Sequence, residues 1–257
     1  MSEPTTLGGL VTDVRSQIED TARLALQSAH YLIRGRWDFA AIWHNLHEVG
    51  VRSVFFVIVC LGFLGAIINL QAGFQATRII GDASLIGGQI MPLIVRLLGP
   101  TLTGMMVATR VGTGIAAEIG SMVVTEQVDA LRMNHAPPAE YLVKPRLVAC
   151  AIMVPALTTI GITAAFFAGM LVAALGFDTN PATYASFDIV VPLDLAEGML
   201  KSLAYGIAIP IIAAAAGLRA RGGSEGVGEA TTQAVVASSL AVIVLDFAIG
   251  GFIFVLR

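Results

Sequence analysis

The sequence predicts an all-α membrane protein: an N-terminal interfacial helical region, about five transmembrane helices, and one amphipathic helix on the cytoplasmic side. Three observations point there. Hydrophobic residues make up 56% of the chain and charged residues 13%, too little polar surface to cover the core of an ordinary soluble domain. The apolar residues fall into stretches of about 20 or more, the length that crosses a hydrocarbon core of about 30 Å at 1.5 Å per residue. Within those stretches, for example Phe55 to Ile68 and Ile207 to Leu218, polarity does not alternate, and a transmembrane barrel requires alternation.

The first element is the region 1–50. Apolar residues recur there at helical spacing among charges: Leu10, Val14, Ile18, Ala22, Leu24, Ala25, Tyr31, Leu32, Trp37, Phe39, Ile42 and Trp43. Such a segment lies along a membrane surface, with the tryptophans at headgroup depth. Glu3, Asp13, Arg15, Glu19, Asp20 and Arg23 interrupt it without an early apolar core, so it does not resemble a cleaved signal peptide. His44 and His47 have i, i+3 spacing but no second ligand cluster, which gives no metal site.

The second domain, 51–257, holds the spans. They are expected at about Val51 to Thr77, Ile86 to Ala108 with an extension to Ile115 left open, Leu147 to Gly176, Leu195 to Leu218 and Ala234 to Leu256. Pro155 and Pro210 fall inside two of them and should kink them. A cytoplasmic N-terminus gathers Arg15, Arg23, Arg34, Arg36, Arg52, Arg110, Arg132, Lys144, Arg146, Arg219 and Arg221 on one side, leaving Arg78 and Arg257 on the other. That is the asymmetry of a multi-pass protein of a bacterial cytoplasmic (inner) membrane, N-terminus inside and C-terminus outside. The connection Phe177 to Asp194, with Asp178, Asp188 and Asp194 and no basic residue, belongs outside.

Other classes fall away. A net charge of −3 without a basic cluster leaves no footprint for nucleic acid. Cys60 and Cys150 sit in apolar context and read as small buried hydrophobes. No HExxH and no convergent Ser/His/Asp set is visible, so no catalytic residue and no cofactor bound by this chain is expected. The stretch Gly222 to Gly228 lacks the lysine of a phosphate-binding loop and reads as a link between spans. No internal repeat is visible, which weakens the alternative of an ion-coupled secondary transporter; that alternative would need a coupling-ion site at broken helices.

Arg110 to Pro138 is the most informative connection. Glu118, Glu126, Gln127 and Asp129 alternate with Ile119, Met122, Val123, Val128 and Leu131, giving an amphipathic helix ended by Pro137 and Pro138. An apolar stripe with a charged rim suits docking into a groove on another protein, and a surface helix without a partner is the plainer alternative.

The runs LGPTLTGMMVATRVG, AEIGSMVVTEQVDAL and GGSEGVGEATTQAVVASSLAVIVLDF, in this order, resemble the MlaE/YrbE family of ABC-transporter permeases. The resemblance implies a homodimeric permease with two cytoplasmic ATPase subunits that bind the ATP, an MCE-domain protein outside, and phospholipids or related lipids as cargo. It also implies that Glu118, Met122, Glu126, Gln127 and Asp129 belong to a coupling helix, Glu118 to Leu131, that contacts the ATPase. At one place the chain departs from the family: many relatives carry an acid directly after the arginine of R-E-L-G-P, and here Leu97 follows Arg96.

Arg96 and Lys201 are basic residues within predicted spans, where a charge costs roughly 3 kcal/mol or more at the helix centre. They either bind an anionic lipid headgroup or pair with Asp246 of the fifth span. Leu70, Phe74 and Ile80, near the outer end of the first span, are candidates for an acyl-chain surface. Gly62, Gly65, Gly73, Gly112 and Gly114 permit close helix packing.

Overall fold

The computed structural model describes residues 7–34, 37–79, 86–185 and 191–256. The elements are α1 (Leu7–Arg34), α2 (Phe39–Val49), α3 (Val51–Ile79), α4 (Ile86–Leu93), α5 (Gly99–Val107), α6 (Thr113–Val124), α7 (Gln127–Met133), α8 (Lys144–Phe177), α9 (Pro181–Tyr184), α10 (Pro192–Leu218) and α11 (Ser224–Leu256). Among the described residues all regular structure is helical, as the unalternating apolar runs predict.

Five helical runs are long and apolar enough to span a membrane: Phe39–Arg78, Gln89–Val124, Ala139–Phe177, Pro192–Leu218 and Ser224–Val255. Each overlaps a predicted span, and most of the boundaries move outward. The first begins in α2, because Gly50 keeps right-handed helical angles and its carbonyl accepts from Ser53 and Val54. Residues 39–50 therefore form one helical run with the first span. The second run continues to Val124, past both Ala108 and the open extension to Ile115. The fifth starts at Ser224, so only Gly222 and Gly223, with φ of 84° and 77°, form the turn, and the rest of the glycine-rich stretch is helix. Positive φ is nearly free for glycine and strained for other residues.

Three π-helical turns interrupt the α pattern, at Ile94–Leu98, Ala108–Gly112 and Ala139–Val143. Two have a cause in the sequence. Pro100 and Pro145 each stand two residues after a π turn, and a helical proline lacks the N–H for the carbonyl four residues back and pushes that carbonyl aside. Widening the preceding turn accommodates the ring. The middle turn has no proline and contains Arg110.

α10 is the central helix. Of its most apolar window 61% is buried, against 11% for the window in α11. It packs on α8, α6, α5 and α11, while α3 lies along α8. Close approach is built from small residues, as lipid-exposed bundles require: a Cβ at Gly206 would stand 2.6 Å from the Cys150 carbonyl oxygen. Near the opposite end from α7, Tyr184 of α9 donates to Asn69 of α3 at 3.0 Å, and both are buried. Burial pushes the Tyr184 phenol up to about 12, against the smaller opposing pull of the Asn69 bond. The phenol therefore stays a donor and holds the α8–α10 connection against α3.

α1 lies against α10 and the π turn Ala139–Val143, burying Leu24 and Ser28 and leaving Ile18 and Leu26 exposed. Phe39 and Trp43 of α2 are exposed, and Trp37 covers the Lys144 ammonium at 4.6 Å.

Candidate functional site

The charges inside the spans meet at one place. Arg96 comes from the first π turn, Asp194 and Glu197 from the first two turns of α10, Lys201 from the next turn, and Asp246 from α11. Lys201 is 2% exposed and uses its ammonium fully: Nζ lies 2.9 Å from Glu197 Oε1 and 3.1 Å from Asp246 Oδ1, and donates to the Arg96 carbonyl at 3.3 Å. That carbonyl is available for a reason. Its α-helical donor would be the N–H of residue 100, which is proline.

Asp246 is held by further donors, the Tyr205 hydroxyl at 2.9 Å and the Thr101 hydroxyl at 3.0 Å, both on Oδ1. Asp194 accepts at Oδ2 from the Val191 N–H at 3.2 Å, which caps α10. Buried ions need such partners, because the desolvation cost is otherwise several kcal/mol per charge.

Arg96 differs. Its guanidinium stands 4.0 Å from both Asp194 Oδ1 and Glu197 Oε2, at the outer limit of an ion pair, and its side chain is 40% exposed. It opens on a cleft of about 260 Å³ lined with Leu97, Phe247, Gly250, Gly251, Ile253 and Phe254 beside the charged groups. One wall of the site is ionic and the other apolar.

Lys201 pairs with Asp246 and also with Glu197. Leu97 supplies no acid beside Arg96, and the carboxylates that stand near the guanidinium come from α10. Sequence reasoning started the fourth span at Leu195, put Asp194 in the loop and overlooked Glu197, although Glu197 and Lys201 are spaced i, i+4, the better orientation for a helical ion pair. Leu70 and Phe74 are exposed on α3, and Phe74 stacks edge-on against Phe177 at 5.5 Å. Neither lines the Arg96 cleft. Ile80 lies outside the described residues.

The predicted single helix from Glu118 to Leu131 is two pieces. α6 carries Glu118 and Met122, and the chain then breaks at Thr125 and at Glu126, whose φ is 60°. α7 carries Gln127 and Asp129; Gln127 donates to Thr125 Oγ1 at 3.0 Å and Asp129 pairs with Arg132 at 3.0 Å. Met122 packs toward the core, whereas Met133, not singled out from the sequence, is 78% exposed at the tip of α7. Glu118 pairs with Arg146 of α8 at 2.8 Å.

The decisive comparison is with known families. A family model described as Permease MlaE matches residues 42–251. The chain belongs to the MlaE permease family. Its similarity to individual proteins covers most of the chain. It is 35% identical to a probable ABC transporter permease protein of Synechocystis, over 84% of this chain and 83% of that one. It is 38% identical to a probable ABC transporter permease protein of Rickettsia bellii, over 85% of each chain. The trigalactosyldiacylglycerol 1 protein of Arabidopsis thaliana, chloroplastic, is 32% identical over 87% of this chain and 64% of its own length. The chain is thus a multi-pass permease subunit, and the resemblance seen in the sequence motifs holds across the span region.

Proposed function

We propose that this permease is the membrane subunit of an ATP-driven transporter of phospholipids or related glycerolipids in a bacterial cytoplasmic (inner) membrane. The observation that carries the lipid reading is the half-exposed Arg96 at the mouth of an apolar cleft within the spans. An arginine there can hold a phosphate through two parallel hydrogen bonds, while Phe247, Ile253 and Phe254 offer an apolar surface to an acyl chain. Lys201 supports that site from behind, by holding Glu197 and Asp246 in place. A relative named for a glycolipid fits the same class of cargo.

Without a phosphate-binding loop of its own, the chain depends on a separate cytoplasmic ATPase. α7 is the docking element in this reading, offering Met133 as an apolar knob with Glu126, Gln127 and Asp129 around it. A helix set in a groove by one buried apolar side chain and a polar rim is a recurrent docking mode. The working unit is a homodimer with its cavity between protomers, where the exposed Leu70 and Phe74 of α3 contribute apolar surface, and an MCE-domain protein meets its outer face. The N-terminus and α7 lie in the cytoplasm, and the C-terminus lies outside.

Mass spectrometry of the tagged chain purified in mild detergent tests this directly. Copurifying phospholipid and an ATPase subunit are expected. Lipid occupancy unchanged in Arg96→Ala would remove the headgroup site, and a chain that brings down no ATPase would remove the transport scheme.

A further inference from the structure

A second set of charges sits at the cytoplasmic ends of the spans, and neither lipid binding nor docking uses it. Arg146, at the start of α8, is 9% exposed and holds two partners: Nη2 lies 2.8 Å from Glu118 Oε2, and Nη1 donates to the Leu142 carbonyl at 2.7 Å. Leu142 belongs to the π turn Ala139–Val143 ahead of Pro145. One guanidinium therefore ties the start of the third span to α6 of the second.

Glu118 stands about two helical turns before the Thr125–Glu126 corner from which α7 hangs. The packing partners of α6 are α10 and α11, so the Glu118–Arg146 pair is a side-chain strut to a helix that α6 does not lean on. A companion strut lies on the same run, where Arg110 of the middle π turn donates to Ser53 of α3 at 2.5 Å. Arg110, Glu118 and Arg146 line one cleft of about 170 Å³, together with Asn45 and Glu48.

The pair is asymmetric, and the asymmetry gives it a mechanical sense. Glu118 is 62% exposed and loses little when released into water, whereas Arg146 would remain as a buried charge with one carbonyl for company. Separating α6 from α8 is therefore resisted from the Arg146 side, and the two helices move together.

We propose that Arg146 is a positioning residue that transmits displacement of α7 to the third span through Glu118, so that a stroke delivered at α7 reaches the cavity. The proposal rests on the reading of α7 as the ATPase-docking element. Arg146 touches neither lipid nor partner in this scheme.

The test reconstitutes the chain with its copurified ATPase in vesicles of phosphatidylethanolamine and phosphatidylglycerol that carry a fluorescent phosphatidylethanolamine. Bound ATPase, hydrolysis rate and label moved per ATP are measured. Arg146→Leu should keep the ATPase bound and hydrolysing near the wild-type rate, while label moved per ATP falls at least about fivefold. Arg146→Lys, which keeps the charge without the forked contact, should fall between. The exchange Glu118→Arg with Arg146→Glu should recover part of the lost coupling, a result that a merely structural role would not give. Glu118→Gln, at the exposed end, should show the same defect and serves if Arg146→Leu does not assemble. Unchanged label per ATP in Arg146→Leu or Glu118→Gln overturns the proposal, as does an exchange that recovers nothing. Loss of ATPase binding in Arg146→Leu alone would instead make Arg146 part of the docking surface and also overturn it. A wild-type chain that binds no ATPase overturns the parent reading, a result distinct from all of these.

Discussion

The two charged clusters of this permease contain arginines of the same helical run, each set in a π turn, yet they are built to opposite specifications. Around Arg96 and Lys201 the carboxylates of Asp194 and Glu197 are nearly sealed from solvent, and Lys201 spends every donor inside the protein. Around Arg110 and Arg146 one member of the main pair, Glu118, is largely in water. A charge in the membrane interior survives only when its partners are fixed, so the Lys201 cluster is fully paired and Arg96 is its most exposed member at the cleft. In the Glu118–Arg146 pair one member is in water and the other is sealed, so separation is resisted from the Arg146 side alone. Burial, more than charge, separates a site from a strut.

The largest effect should come from Lys201. Lys201→Ala leaves Glu197 and Asp246 buried without their cation and should lower stability by about 3–5 kcal/mol, read as thermal unfolding and yield in detergent. Adding Asp246→Asn should recover part of the loss. A Lys201→Ala chain as stable as wild type would mean that the Lys201 cluster is not structurally required.

The next effect tests the proposal that α7 is the docking helix. Glu126→Lys should leave insertion and folding intact while weakening ATPase association by roughly tenfold, measured by copurification at graded salt. Gln127→Ala should do the same more weakly. If both variants bind ATPase and transport normally, α7 is not the docking element.

Arg96→Ala sharpens the contrast with Lys201. With 40% of its side chain exposed and both acids at 4.0 Å, its removal should cost under about 1 kcal/mol of stability and still lower copurifying phospholipid severalfold. A stability loss equal to that of Lys201→Ala would merge the two residues into one structural role. Smallest of all, Glu118→Gln should change thermal stability by less than about 1 kcal/mol, since its carboxylate is mostly solvated.

Topology is decided by single cysteines and an impermeant thiol reagent. Met133→Cys should react only from the cytoplasmic side and Ala182→Cys only from the other, as the lysine and arginine asymmetry requires. The reverse pattern would invert the whole scheme.

Much of this architecture is legible in the sequence, because apolar runs such as Phe55 to Ile68 leave no alternative to spanning helices. Arg96, Lys201 and Asp246 announce themselves as charges inside those runs. What the sequence conceals has physical causes. The helical run continues through Glu118 to Val124 because small and apolar residues favour neither a stop nor a start there, and the break at Glu126 uses a left-handed residue that is neither glycine nor proline. Asp194 hides because it stands at the start of a span, where an acid reads as loop, whereas Glu197 falls inside the predicted span and is legible there as the i, i+4 neighbour of Lys201. The link between Lys201 and the Arg96 carbonyl depends on the missing N–H of Pro100 and becomes visible only when α10 is seen beside that turn. Arg146 reads as a charge flanking a membrane segment, and its partner lies 28 positions away in sequence at 2.8 Å in space.

The central claim is that an ATPase drives lipid movement through this chain, and reconstitution of the purified permease with its copurified ATPase in lipid vesicles tests it most directly. Fluorescent phospholipid should move only in the presence of hydrolysable ATP, and Arg96→Ala should reduce that movement while hydrolysis continues. Movement that follows an imposed ion gradient and ignores ATP would contradict the account.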